Sequence, residues 1–246
     1  FCARGLRDDL EAYAQIEAAD CGKVLAEARG DIGYCADVLD YYARLLEERR
    51  TSAAVDPPPD GYFDAALSAR IDTRPVGVVA LVTPWNFPLM QAVLKLAPAV
   101  AAGCPLVLKP SPLASLTCVK FFAELLGPCA PRGAVNLLTG GPPSTPAARA
   151  TEALTRDPRV ALASFTGSGR GGAEVLKASA ANLRPTSLEL GGKGALLVLD
   201  DADVDAAADF AALGILQCSG QVCSATSRLL VHESLEEALL EKLLAK

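Results

Sequence analysis

The chain has 246 residues, and its 23 Lys+Arg against 29 Asp+Glu leave a formal net charge of −6. That balance argues against a nucleic-acid or anionic-membrane partner, because nothing offsets phosphate repulsion. Hydrophobic residues at 51% supply a core, while the longest apolar run, Leu96 to Leu108, holds Pro98, Gly103 and Pro105 between two lysines and is too short to span a bilayer.

In chain order, residues 1–50 read as two amphipathic helices, with Leu6, Leu10 and Tyr13, then Val38, Tyr41, Tyr42 and Leu45 at helical spacing. An irregular connector over 51–60 ends in Pro57-Pro58-Pro59. From Val76 onward short apolar runs alternate with helical stretches. Strands are expected over 76–82, 105–109, 134–138, 160–165, 195–199 and 227–232. Helices are expected near 88–102, 114–127, 144–156, 171–182 and 204–217, and Ser234-Leu-Glu-Glu237 reads as a capping box opening a last helix. Continuous apolar strands separated by helices indicate an α/β fold, a doubly wound parallel sheet covered on both faces. The division is expected as 1–188 for a dinucleotide-binding unit with its N-terminal helices and 189–246 for the start of a second unit. With no initiator Met and an end at Lys246 inside a helical pattern, the chain reads as part of a longer protein.

Eight cysteines and one histidine, His232, form no C-x-x-C pair and no zinc spacing. Cys104 and Cys118 lie in apolar surroundings, as buried free thiols do, which favours a reducing, intracellular location. His232 reads as structural.

Five motifs carry chemistry. Thr83-Pro84-Trp85-Asn86-Phe87-Pro88 ends a strand in a rigid turn, where an Asn amide either stabilises an oxyanion or serves the turn. In Leu108-Lys109-Pro110-Ser111-Pro112 a lysine stands at the carboxyl end of a strand, either meeting a ligand or snorkelling at the surface. Phe165-Thr166-Gly167-Ser168-Gly169-Arg170-Gly171-Gly172 links strand to helix and satisfies G-x-G-x-x-G, which suits phosphate at a helix N-terminus; alone it is weak, since such turns are also ordinary loop chemistry. Glu189-Leu190-Gly191-Gly192-Lys193 places a carboxylate before a double glycine. It could hold a ribose hydroxyl, work as a general base, or simply be solvated. Ser219-Gly220-Gln221-Val222-Cys223 presents a thiol on a tight loop, either a nucleophile or one more packing cysteine.

Taken together and in this order, TPWNFP, LKPS, FTGS, LELGGK and GQVCSA resemble the NAD(P)-dependent aldehyde dehydrogenase superfamily. The phrase GQVCSATSRLLVHES is similar to plant-type betaine and aminoaldehyde members. The resemblance implies a variant Rossmann cofactor domain followed by the start of an α/β catalytic domain. It implies that Cys223 attacks an aldehyde, that Asn86 and the Cys223 N–H stabilise the oxyanion, and that Glu189 activates water rather than holding ribose. NAD or NADP would be held by Lys109 at the adenosine ribose and Ser168 at the pyrophosphate, with Thr83, Trp85, Ser111, Gly167 and Leu190 also lining the cofactor. A small-molecule aldehyde is the expected partner, and the parent protein is expected to be a homo-oligomer.

Three departures bear on specificity. Pro112 stands where relatives often carry a Glu that favours NAD, so NADP becomes acceptable. Ser219 stands where Asn is common. Phe87, Leu94 and Gln217 fill positions where betaine-aldehyde enzymes build an aromatic cage, and two of the three are not aromatic, which disfavours a quaternary ammonium substrate. Competing readings are a CoA-acylating relative, which Glu189 argues against, a catalytically silent member, or an inert fragment.

Overall fold

The computed structural model describes residues 1–51, 73–141 and 149–246, without the side chains of Arg50 and Thr51. The connector expected over 51–60 therefore lies almost wholly outside the described residues.

The N-terminal segment forms three helices rather than two: α1 (Cys2–Asp8), α2 (Leu10–Cys21) and α3 (Leu25–Thr51). The break falls at Asp9, whose φ/ψ of −117°/28° is not helical and whose carboxylate pairs with Lys120 at 2.9 Å. A short acid that finds partners outside the helix is a poor interior residue. α2 ends on Gly22, left-handed at φ 78°, with its N–H on the Ala18 carbonyl, the usual glycine stop.

The rest of the chain alternates as expected. In order come β1 (Val78–Val82), α4 (Pro88–Ala101), β2 (Leu106–Lys109), α5 (Leu116–Phe121), a π-helical turn over Phe122–Leu126, α6 (Gly127–Cys129), β3 (Val135–Leu137), α7 (Ala150–Arg156), β4 (Val160–Gly167) and α8 (Gly169–Ala180). They are followed by β5 (Thr186–Leu190), β6 (Ala195–Val198), α9 (Val204–Leu216), β7 (Arg228–Val231) and α10 (Glu236–Leu244). Each of the expected strands is present, and β5 is an additional one. The first five strands form a wholly parallel sheet in the order β3-β2-β1-β4-β5. The expected division at 188/189 falls inside β5, whose pairing with β4 runs on to Leu190 opposite Gly167.

The pleat sends Val79 and Leu81 into the main core, shared with Leu89, Val93 and Leu96 of α4 and with Leu6, Tyr13 and Ile32 of the N-terminal helices. Val82, Ala163 and Phe165 meet Val175 of α8 in a smaller core. β6 and β7 form a separate two-stranded parallel sheet, whose core of Val198, Ala207, Ala208 and Leu239 is its own. The capping box expected at Ser234 is absent. His232 Nδ1 accepts the Ser234 N–H at 3.3 Å, and α10 starts one short 3-10 turn later. Among the described residues no helix is long and apolar enough to cross a membrane, and no group of three metal-ligating side chains occurs.

Candidate active site

The order β3-β2-β1-β4-β5 makes β1 and β4 the strands from which the chain winds outward in both directions. Ligands of open α/β sheets settle at the carboxyl ends of strands at such a switch point. Four of the five motifs leave the sheet there: Thr83–Asn86 from β1, Lys109–Ser111 from β2, Gly167–Ser168 from β4, and Glu189–Leu190 at the end of β5.

Side-chain alternation then sorts them. Ser164 and Thr166 of β4 and Ser187 and Glu189 of β5 line one face of the sheet. Together with Gln91, Leu94 and Lys95 of α4 they bound a cavity of about 570 Å³. A second cavity, about 380 Å³, is lined by Trp85, Asn86, Gly167, Ser168, Leu190 and Gly191. Cys223 is a wall of both. Its thiol is free and exposed, with the Glu189 carboxylate in one chamber and the Asn86 amide in the other. Pairing sets Glu189 opposite Thr166, so the carboxylate sits on a strand, where it is exposed.

The loop carrying Cys223 is unusual. Cys218, Ser219 and Gly220 all have positive φ, at 51°, 55° and 78°, and left-handed backbone at a non-glycine residue costs about 1–3 kcal/mol each. The departure at Ser219 falls on this backbone, where Asn is better tolerated than most residues; its hydroxyl donates instead to the Gly22 carbonyl at 2.7 Å. Gln221 ties the loop to the β1 turn. Its side-chain oxygen accepts Trp85 Nε1–H at 3.0 Å, and its backbone carbonyl accepts Asn86 Nδ2–H at 2.5 Å. An amide nitrogen carries two hydrogens, so one remains for a ligand.

Two polar residues escaped the sequence reading. Lys95 donates to Ser164 Oγ at 2.8 Å and brings a cation into the chamber with Glu189 and Cys223. Burial lowers its pKa, with the Glu189 charge opposing. Gln91 lines both chambers. The readable signal was Gln91 and Lys95 at i, i+4 within an otherwise apolar helix. Gln221, quoted within its motif, had no role assigned.

The surface-snorkelling alternative for Lys109 is corrected by its burial. It is 6% exposed, its amine donates to the Pro110 carbonyl at 3.2 Å, and burial lowers its pKa. Lys109, Ser111 and Thr83 line neither chamber. Ser111 Oγ accepts the Leu113 N–H. The buried hydroxyls of Thr83 and Thr166 have no hydrogen-bond partner, and such groups are ordinarily satisfied. Ser168 caps α8 by accepting the Gly171 N–H at 3.1 Å. A buried ammonium, two unsatisfied hydroxyls and a helix N-terminus at the ends of adjacent strands fit an anionic dinucleotide. Of the cage positions, Leu94 reaches the larger chamber, whereas Phe87 is buried with its ring 4.1 Å from Lys23 Nζ.

Fold and site together define an open α/β protein with a thiol at its dinucleotide-type switch point. The chain belongs to the aldehyde dehydrogenase family, whose model matches residues 2–246. It is 44% identical over 232 residues to the peroxisomal aminoaldehyde dehydrogenase 2 of Pisum sativum, covering 94% of this chain and 44% of the relative. With betaine aldehyde dehydrogenase 1 of Oryza sativa subsp. japonica it shares 42% identity over 252 residues, 99% of this chain and 46% of the relative. Among solved structures, PnpE in complex with nicotinamide adenine dinucleotide superposes with a TM-score of 0.88 at 34% identity, over 99% of this chain and 48% of the other. The betaine aldehyde dehydrogenase of Staphylococcus aureus with NAD+ gives 0.86 at 36%, over 99% and 46%. The chain thus spans less than half the length of these relatives.

Proposed function

We propose that this chain supplies the nucleophile, the water-activating base and the oxyanion donor of an enzyme that oxidises aldehydes to carboxylic acids with NAD(P)+. The observation carrying this reading is that Cys223 is the shared wall of two chambers, one holding Glu189 and the other Asn86. The Cys223 thiol gives its proton to water and Sγ adds to the aldehyde carbon, and the carbonyl electron pair moves onto oxygen, where the free hydrogen of the Asn86 amide stabilises it. When bound, NAD(P)+ would supply the acceptor for the hydride that the adduct must lose to become a thioester on Cys223. Glu189 takes a proton from water, the hydroxide displaces the thiolate, and the acid departs. Lys109, Thr83, Thr166 and Ser168 would hold the dinucleotide.

A carboxylate in the thiol's own chamber supports water, rather than the thiol of CoA, as the resolving nucleophile. The names of the relatives support an aminoaldehyde or betaine aldehyde substrate. Leu94 as the one cage position at the chamber weighs against a quaternary ammonium, and the peroxisomal and chloroplastic relatives favour an intracellular enzyme.

The test mixes the protein containing this chain with an aminoaldehyde and NAD+ or NADP+, following absorbance of the reduced nicotinamide. Cys223→Ala is expected to abolish the signal. Glu189→Gln is expected to keep one burst of reduced cofactor while slowing turnover about 10²–10⁴-fold. Turnover surviving in Cys223→Ala, or a Glu189→Gln defect confined to cofactor KM, would overturn the reading.

A further inference from the structure

We infer that Glu27, on the first turn of α3, is a positioning residue for the nucleophile loop, and this rests on Cys223 being the nucleophile. Its two carboxylate oxygens accept the Cys218 N–H at 3.2 and 3.0 Å, across 191 positions of sequence. Cys218 is the first of the three consecutive left-handed residues, a conformation the loop would leave if released. Two acceptor oxygens within reach of one N–H hold that N–H firmly, and here they meet the residue where the strain begins.

The same α2–α3 turn takes two further bonds from the loop. Ser219 Oγ–H donates to the Gly22 carbonyl at 2.7 Å, and the Gln221 side-chain amide donates to the Cys21 carbonyl at 3.0 Å. The clamp then passes to the oxyanion turn. The Cys218 thiol donates to the Asn86 carbonyl at 3.1 Å, and Gln221 holds both Trp85 and the Asn86 amide. Nucleophile and oxyanion donor come from different units of the fold, and the α2–α3 turn is a third element bonded to the loop that carries one and grips the other. Displacement of a reacting group by about 1 Å costs on the order of 10² in rate, so this brace matters to chemistry although Glu27 lines neither chamber.

The experiment compares wild type, Glu27→Asp, Glu27→Gln and Cys223→Ala in the protein that contains this chain. Asp keeps the charge and withdraws the carboxylate by one methylene; Gln keeps the reach and one acceptor oxygen. The first readout is the burst rate of reduced nicotinamide, with cofactor KM. The second is acrylamide quenching of Trp85, the only tryptophan of the chain, read in the 246-residue chain itself. Glu27→Asp is expected to slow the burst about 10-fold or more and to raise Trp85 quenching, with cofactor KM unchanged. Glu27→Gln recovers most of the rate and the wild-type quenching. A Glu27→Asp burst within about twofold of wild type, or equal losses in Asp and Gln accompanied by a raised cofactor KM, overturns the inference. A burst that persists in Cys223→Ala instead overturns the nucleophile assignment on which it rests.

Discussion

The half-buried Asn86 amide and the fully buried Glu17 carboxylate show opposite uses of a polar group. Asn86 keeps one hydrogen free beside Cys223, and removing one preorganised oxyanion donor costs about 10²–10³ in kcat. Asn86→Ala is therefore expected to slow the burst of reduced cofactor by that factor while leaving cofactor affinity unchanged, measured by stopped-flow absorbance and cofactor titration. Glu17 is fully buried beside Lys23, 3.8 Å away, and accepts the Thr117 hydroxyl at 2.6 Å. Burial outweighs both partners, with the nearby Asp31 charge adding, and pushes its pKa from 4.5 up to about 7. Between those values the folded chain keeps a proton that the unfolded chain releases, so stability falls as pH rises through that window. The loss is complete above the folded value and absent below the unfolded one. Glu17→Gln is expected to remove it, a difference of up to about 3 kcal/mol between pH 5 and 8, read from urea midpoints of the two proteins at both pH values.

The elements that carry the site were unevenly legible. β1, β2 and β4 announce themselves as apolar runs because a central parallel strand is buried on both faces. β5 does not: it is an edge strand, with Thr186 and Leu188 half-buried and Ser187, Glu189 and Leu190 exposed, so Thr-Ser-Leu-Glu-Leu looks like loop. That is why the sequence places Glu189 before a turn and not on a strand. The link between β5 and β6 is tight at Gly194. A Cβ there would stand 2.9 Å from the Ala225 carbonyl oxygen and 3.5 Å from that of Ser224, on the segment just after Cys223. Backbone cannot yield as a side-chain end can, and overpacking costs about 1–3 kcal/mol. Gly194→Ala is expected to lower the urea midpoint accordingly and to slow the burst, because relief requires the Cys223 segment to shift.

At the scale of the molecule, the five-stranded unit closes its core against the N-terminal helices, whereas the β6–β7 unit leaves Leu197, Phe210, Leu213, Leu216 and Leu230 exposed. Apolar patches of this kind associate. The isolated 246-residue chain is expected to run on size exclusion above its monomer size, and Phe210→Glu with Leu213→Lys to shift it toward monomer; a monomer in both cases would show the exposed α9 side chains to be innocuous. The proposed part of Pro112 is also tested at this scale, since it concerns which whole cofactor is taken. The absence of a carboxylate there removes repulsion against a 2′-phosphate. NADP+ is expected to support turnover within about tenfold of NAD+, and Pro112→Glu to depress the NADP+ reaction selectively, measured as kcat/KM for each cofactor.

Sequence alone determined the parallel α/β architecture, because buried strands and amphipathic helices are local patterns of polarity. It also nominated the thiol, the carboxylate, the amide and the glycine-rich turn as candidates, because their motifs are contiguous. It could not show that Lys109 is buried, that Lys95 shares a chamber with Glu189, or that Glu27 braces a loop 191 residues away. Those facts depend on which elements lie side by side, and the pattern along a strand or helix specifies only that it has a face to bury. What meets that face is decided when the sheet order and the docking of the N-terminal helices bring distant residues within hydrogen-bond reach.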